Sequence, residues 1–410
     1  MKTKLELSKN IFNTTVLVSA LGYFVDIYDL ILFGIVRVPS LKDLGISGEG
    51  LITTGVFLLN MQMAGMLIGG IIFGILGDKL GRLSVLFGSI FLYSVANIAN
   101  AFVTSTEMYA ALRLIAGIGL AGELGAAVTL VSEVMTKETR GYGTAIVASI
   151  GVTGAIFAAI IGETFNWKIA YIIGGILGFI LLIARIKMFE SGMYSNLKKS
   201  NVGKGKFLSL FTSKERFSRY AYSILVGLPI WYVVGVLVTF SPEFGKVIGV
   251  PEPIKAGNSI LFTYTGLIFG DFASGFLSQY LKSRKKIYTI FIFLTAFFVS
   301  VYLFVNGLSL TMFYGLCVLL GISIGYWAVF VTTASEQFGT NLRSTVTTTV
   351  PNFIRGTVVP ITLAFEFLRG HVGMIYSALI VGVVCIIIAF WALYHLEETY
   401  GKDLDYLEDI

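Results

Sequence analysis

The chain has 410 residues, of which 56% are hydrophobic and only 13% charged, with a formal net charge of +6. A soluble globule carries about 25% charged residues, so this composition, with a mean hydropathy of +0.83, excludes an ordinary soluble domain. The apolar residues come in repeated runs of about 20 or more, the length that crosses a bilayer as a helix. The positive charge is therefore an orientation signal before it is a sign of a nucleic-acid or other polyanionic partner.

The first apolar run follows the basic stretch Met1–Asn10. It is too long for a signal-peptide core and carries Asp26 and Asp29, so it reads as a retained helix. In chain order, twelve spans are expected at 14–36, 51–76, 83–104, 107–135, 142–163, 168–189, 219–241, 258–281, 287–306, 309–335, 344–368 and 372–394. An even count puts both termini on one side of the membrane. Lys and Arg collect on that side. Only Arg37, Lys42, Lys168, Lys246, Lys255 and Arg369 fall on the other, and Arg113 and Arg355 lie inside spans. By the positive-inside rule both termini are cytoplasmic. The longest polar stretch, Glu190–Ser218, reads as a linker. It divides an all-α chain into one six-helix bundle over 1–189 and a second over 219–395, followed by a tail over 396–410.

Several chemistries are absent from the sequence. Cys317 and Cys385 sit within apolar runs and build no disulfide framework. There is no G-x-x-x-x-G-K-[ST] phosphate loop, no metal-ligand spacing and no nucleophile–base pairing. The chain reads as a non-enzyme without a cofactor or metal, and the energy for any transport is expected from an ion gradient, a proton gradient first.

Between the second and third spans stands GDKLGR, Gly77–Arg82. Its two glycines let backbones approach closely, and the Asp78 carboxylate can face the positive N-terminus of a neighbouring helix. The wider string of Gly70, Gly74, Asp78, Gly81 and Arg82 resembles the loop 2–3 signature of the major facilitator superfamily. The two halves also repeat. At one constant offset Gly122, Val128, Thr129, Ser132, Glu133 and Arg140 fall on Gly325, Val331, Thr332, Ser335, Glu336 and Arg343. The R-x-x-x-G-x-G string from Arg113 resembles the fourth-helix motif of superfamily symporters. The D-x-x-D of Asp26 and Asp29 resembles that of proton-coupled aromatic-acid and metabolite symporters. Glu190-Ser191 and the tail Leu396–Leu404 resemble elements of sugar and metabolite porters.

The resemblance implies two pseudo-symmetric bundles with substrate held near the midplane between them, and transport by alternating access. It makes Asp26 and Asp29 essential for uptake and associates Arg113 with coupling. Two departures matter. The fifth and seventh spans have no glutamine, unlike sugar porters, and no proline follows the glycines of the fifth, unlike drug antiporters.

Charges inside spans cost roughly 2.5–3.5 kcal/mol each, so they tend to face a bundle interior or a water-filled path. Asp26 and Asp29, at i and i+3, share a helical face and one cavity. They read as proton carriers, with a structural cap or an ion pair as the alternative. Arg113 and Glu123 are ~15 Å apart along one helix axis and so are not partners. Both are grouped with proton coupling, Arg113 through a pairing with Asp26 or Asp29. Arg355, between Pro351 and Pro360, is suited to hold a carboxylate. Pairing with Asp271 is its alternative. Asp271, Tyr326, Trp327 and Trp231 complete the candidate substrate set. Gly77, Asp78, Gly81, Arg82, Glu133, Arg140, Glu336 and Arg343 form a candidate cytoplasmic gate.

The sequence thus points to proton-coupled uptake of a small charged metabolite, an organic acid or amino acid, by a monomer in a bacterial inner membrane. Its partners are the substrate, protons and the bilayer, with no nucleic acid. An exporter of a siderophore or drug, or a sugar porter, is the alternative.

Overall fold

The computed structural model describes residues 14–80, 82–123, 140–190, 207–402 and 407–408. The first half contributes α1 (Thr14–Asp43), α2 (Gly50–Leu80), α3 (Arg82–Asn100), α4 (Thr106–Leu120), α5 (Arg140–Thr164) and α6 (Trp167–Glu190). A 3-10 turn at Phe207–Phe211 leads into α7 (Lys214–Leu225), α8 (Leu228–Tyr232), a π-helix at Val233–Val238 and the short α9 (Ser241–Val247). Then come α10 (Ala256–Tyr280), α11 (Arg284–Phe304), α12 (Leu310–Ser323), α13 (Trp327–Glu336), α14 (Thr340–Gly356) and α15 (Val358–His395).

Among the described residues, eight stretches are long and apolar enough to cross a membrane, and the bent pair Lys214–Leu225 and Leu228–Val238 makes a ninth. One of the eight, Asn341–His395, holds two expected spans, parted where Gly373 takes a φ of 78°. Of the shorter helices, α3 carries the expected third span over Leu86–Asn100, and α4 the first part of the expected fourth, whose remainder from 124 on lies outside the described residues. Phe269, Phe272 and Phe276 of α10 stand exposed, as a lipid-facing surface requires, because no water drives them inward.

The internal repeat has a physical counterpart. The α4 N-cap is Ser105, whose hydroxyl accepts from the Met108 N–H at 3.2 Å. The α12 N-cap is Ser309, which accepts from Met312 at 3.3 Å. Gly65 and Gly69 of α2 lie against the backbone of α4, and Gly266 and Gly270 of α10 lie against that of α12. In the first half α1 packs on α5 and α3 on α6; in the second α10 packs on α12 and α11 on α15. The halves meet along α5–α10 and α2–α14.

The sequence reading needs two corrections here. The first helix does not stop near residue 36 but runs to Asp43, and Arg37 belongs to it with 0% exposure. The charge is tolerated because Glu243 faces it at 2.7 Å and the Phe240 ring lies 4.5 Å from its guanidinium. The expected tenth span is also broken, at Ile324–Tyr326, between α12 and α13. Gly325 sits at the break, where a Cβ would come within 2.6 Å of the Gly270 carbonyl carbon. Gly325→Ala should force α10 from the break, costing about 1–3 kcal/mol as overpacking does. Thermal unfolding of the detergent-solubilised protein would show it, and an unchanged midpoint would mean that the contact yields freely.

Candidate functional site: a cavity between the halves

Three breaks in the second-half helices deliver side chains to one cavity. The seventh span bends by 41° between α7 and α8. Pro229 has no N–H to give there, and Ile230, Trp231 and Val234 turn inward just beyond it. The break before α13 places Trp327 in its first turn. Arg355 comes from the last turn of α14, ahead of Thr357. Tyr23 and Ile27 of α1, Val152 of α5, and Tyr264 and Leu267 of α10 complete the lining.

Among the described residues, the cavity is an aromatic chamber with one cation. The Arg355 guanidinium lies 5.8 Å from the ring centres of both Trp231 and Trp327. Those two rings meet edge-on at 6.1 Å. Trp327 stacks on Phe330 at 5.3 Å, and its indole N–H donates to the Tyr23 hydroxyl of the other half at 3.0 Å. Arg355 Nη2 faces Asp26 Oδ2 at 3.4 Å, and both side chains are fully buried. That is long for a charge-assisted hydrogen bond, which is about 2.7–2.9 Å at full strength, so the pair is held loosely. Among the described residues, Asp26 Oδ1, Arg355 Nε and Nη1, and Trp231 Nε1 have no hydrogen-bond partner.

Contacts between the halves lie on both sides of this chamber. At the end farther from the termini, Arg37 joins α1 to Glu243 of α9, also donating to Leu51 O at 2.9 Å and Thr239 O at 3.3 Å. Nearby Glu49 pairs with Arg369, Glu163 with Lys255 at 3.3 Å, and the Thr53 hydroxyl donates to Glu366 at 2.9 Å. Toward the other end Asn352 Nδ2 of α14 donates to Ala121 O at 2.8 Å. Phe207 of the 3-10 turn lies between Gly74 of α2 and Phe353 of α14.

The candidate residues distribute unevenly around this geometry. Arg355, Trp327 and Trp231 line the cavity. Arg355 is paired with Asp26, not with Asp271. Asp271 instead accepts the Ala328 N–H at 3.1 Å, capping α13 beside Trp327. Tyr326 points elsewhere, packed on Tyr288 and Phe291 with its hydroxyl donating to Val226 O at 3.3 Å. The two α1 carboxylates diverge: Asp26 reaches toward the second half, whereas Asp29 lies inside the first, against Gly174 of α6. Arg113 binds neither of them. Its guanidinium donates to Gln62 Oε1 at 3.2 Å and Asn97 Oδ1 at 3.1 Å, over the Tyr171 ring at 5.0 Å.

Glu123 is held by Arg185 of α6 through two hydrogen bonds, one of them 3.1 Å long. The sequence reading counted Arg185 as cytoplasmic flank, yet it is 3% exposed. Glu336 pairs with Arg284 at 3.0 Å and accepts from Thr399 at 2.7 Å. Arg343 donates to Ser335 O and Phe338 O, both at 3.3 Å. These contacts stay within the second half. Of the other gate candidates, Gly81 and Glu133 lie outside the described residues, as do the side-chain surroundings of Gly77, Asp78, Arg82 and Arg140.

Sequence reasoning missed Tyr23, Tyr264 and Arg185. Aromatic residues in spans are too common to single out, and Arg185 lies near a helix end, where basic residues are expected. A charge-balance argument could have found Arg185, since a buried Glu123 demands a cation.

Comparison with known proteins places this geometry in context. The model of the Major Facilitator Superfamily matches residues 19–355. The niacin transporter NiaP of Acinetobacter baylyi is 25% identical, over 96% of this chain and 96% of its own. The gentisate transporter of Corynebacterium glutamicum is 23% identical, over 92% of this chain and 86% of its own. Among solved structures, that of the proton:xylose symporter XylE superposes with a TM-score of 0.71 at 15% identity, covering 97% of this chain and 98% of that one. At that identity the likeness speaks for the fold alone.

Proposed function

The chain belongs to the major facilitator superfamily, and from that premise we propose that it imports small aromatic carboxylates together with protons, by alternating access between its halves. It is a multi-pass membrane transporter and not an enzyme. The observation that carries the reading is the cation Arg355, walled by indoles and phenols and loosely paired with Asp26. Aromatic walls favour a flat, apolar body. A guanidinium favours a carboxylate on that body. Niacin and gentisate, named for two relatives, are both aromatic carboxylates.

Proton coupling follows from counting charges. Arg355 neutralises Asp26 when the cavity is empty. A substrate carboxylate arriving at Arg355 leaves two anions facing one cation in a buried space, and unpaired buried charge is costly. A proton on Asp26 restores the balance, so substrate and proton enter together. Asp29, Arg113 and Glu123 support this step from the interior of the first half. The Arg37–Glu243 contact closes one end during the cycle, and Asp78, Arg82, Glu133, Arg140, Glu336 and Arg343 serve the other. We place both termini in the cytoplasm of a bacterial cell, and the transporter works as a monomer without a cofactor.

The test is uptake in proteoliposomes holding a trapped pH dye, against protein-free vesicles that report passive leak of the acids. Benzoate and its ring-substituted relatives should enter with lumenal acidification above that leak, and xylose should not. Carboxylate entry without extra acidification would remove the proton. A response to sugars alone would remove the substrate class.

A further inference from the structure

The two indoles in the cavity are not equivalent. Trp327 already gives its N–H to the Tyr23 hydroxyl at 3.0 Å. Trp231 is 4% exposed, and its Nε1 has no acceptor among the described residues. An indole N–H can only donate, and a buried tryptophan usually finds a partner for it. Leaving the donor unmade is a cost that a correct ligand removes. Trp231 stands just past the Gly227–Pro229 bend and packs edge-on against Trp327, so its N–H has a fixed direction.

The guanidinium of Arg355 lies over the face of Trp231, 5.8 Å from its centre, and its Nε and Nη1 also lack partners among the described residues. A carboxylate seated on those two nitrogens has its oxygens engaged there. The indole N–H is left over for a second acceptor, displaced from the carboxylate on the substrate body.

Resting on the reading that the cavity takes an aromatic carboxylate, we infer that Trp231 Nε1 donates to an acceptor on the substrate's ring. The substrate class narrows to aromatic carboxylates bearing a ring hydroxyl or ring nitrogen, with Trp231 as the specificity-determining residue. A site built to hydrogen-bond a substrate group discriminates strongly against analogues that lack it.

Competition against labelled benzoate in proteoliposomes tests this, with unlabelled benzoate, 3- and 4-hydroxybenzoate and the pyridinecarboxylates as competing probes. The wild type should prefer its best acceptor-bearing probe over benzoate by about tenfold, the scale of one buried hydrogen bond. In Trp231→Phe, which keeps the aromatic wall and removes the N–H, that ratio should fall to within about twofold. A wild type with no preference overturns the inference, and this arm needs no folded variant. A Trp231→Phe protein that keeps the ratio overturns it as well. In both cases benzoate transport would leave the substrate reading standing. Transport of none of the probes would sink both.

Discussion

Asp26→Asn should abolish gradient-driven accumulation while leaving exchange of substrate across the membrane intact. The substitution keeps the shape of the side chain and removes its proton. Arg355 then has no competing carboxylate, so substrate should bind at least as tightly and leave more slowly. Counterflow needs no net proton movement and should persist; uphill uptake driven by an inward proton gradient should not. Arg355→Ala should behave differently. It removes the cation and leaves Asp26 buried opposite nothing. Truncating one member of a buried charge pair costs about 2–5 kcal/mol, or at least about 30-fold in affinity, so both accumulation and counterflow should fail. Arg355→Lys should recover only part, because an ammonium lacks the planar fork. Full accumulation by Asp26→Asn would refute the coupling role.

The second large effect is on folding. Glu123 and Arg185 are 0% and 3% exposed and bind each other through both oxygens. Removing either alone strands a charge inside the first half, which costs about 3–5 kcal/mol. Glu123→Ala and Arg185→Ala should both lower the yield of monodisperse protein and its unfolding temperature. The double variant Glu123→Gln/Arg185→Gln should recover much of the loss, since replacing a buried pair by neutral groups is often close to neutral. The same variant tests the role in coupling. If it folds and accumulates substrate normally, Glu123 is structural. If it folds but only exchanges, Glu123 carries protons.

Much of the architecture was legible in the sequence because hydrocarbon imposes it. A spanning segment must be apolar and about 20 residues long, so the runs could be counted. Small residues must stand where membrane helices touch, and Gly325, marked in the sequence by the internal repeat, does stand at such a contact, as do Gly266 and Gly270, which only the structure singled out. The same logic marked Asp26, Arg113, Glu123 and Arg355 as functional or paired, because charge inside a span has few other uses.

What the sequence left open was who meets whom. Asp26 and Arg355 stand 329 residues apart and carry no local signal of their pairing. The same holds for Arg37 with Glu243 and Glu123 with Arg185. Nor does the i, i+3 rule decide that Asp26 reaches across the molecule while Asp29 stays within one half. A helix face is wide enough for neighbouring residues to meet different partners. Hydrophobicity thus determined where membrane-length helices form. The tertiary structure alone decided which buried charges neutralise each other, because that depends on where separate helices cross. It alone set Trp231 beside Arg355 with an N–H that has no acceptor among the described residues, because helix breaks at Gly227–Pro229 and Gly325 aim side chains that a regular helix would point elsewhere.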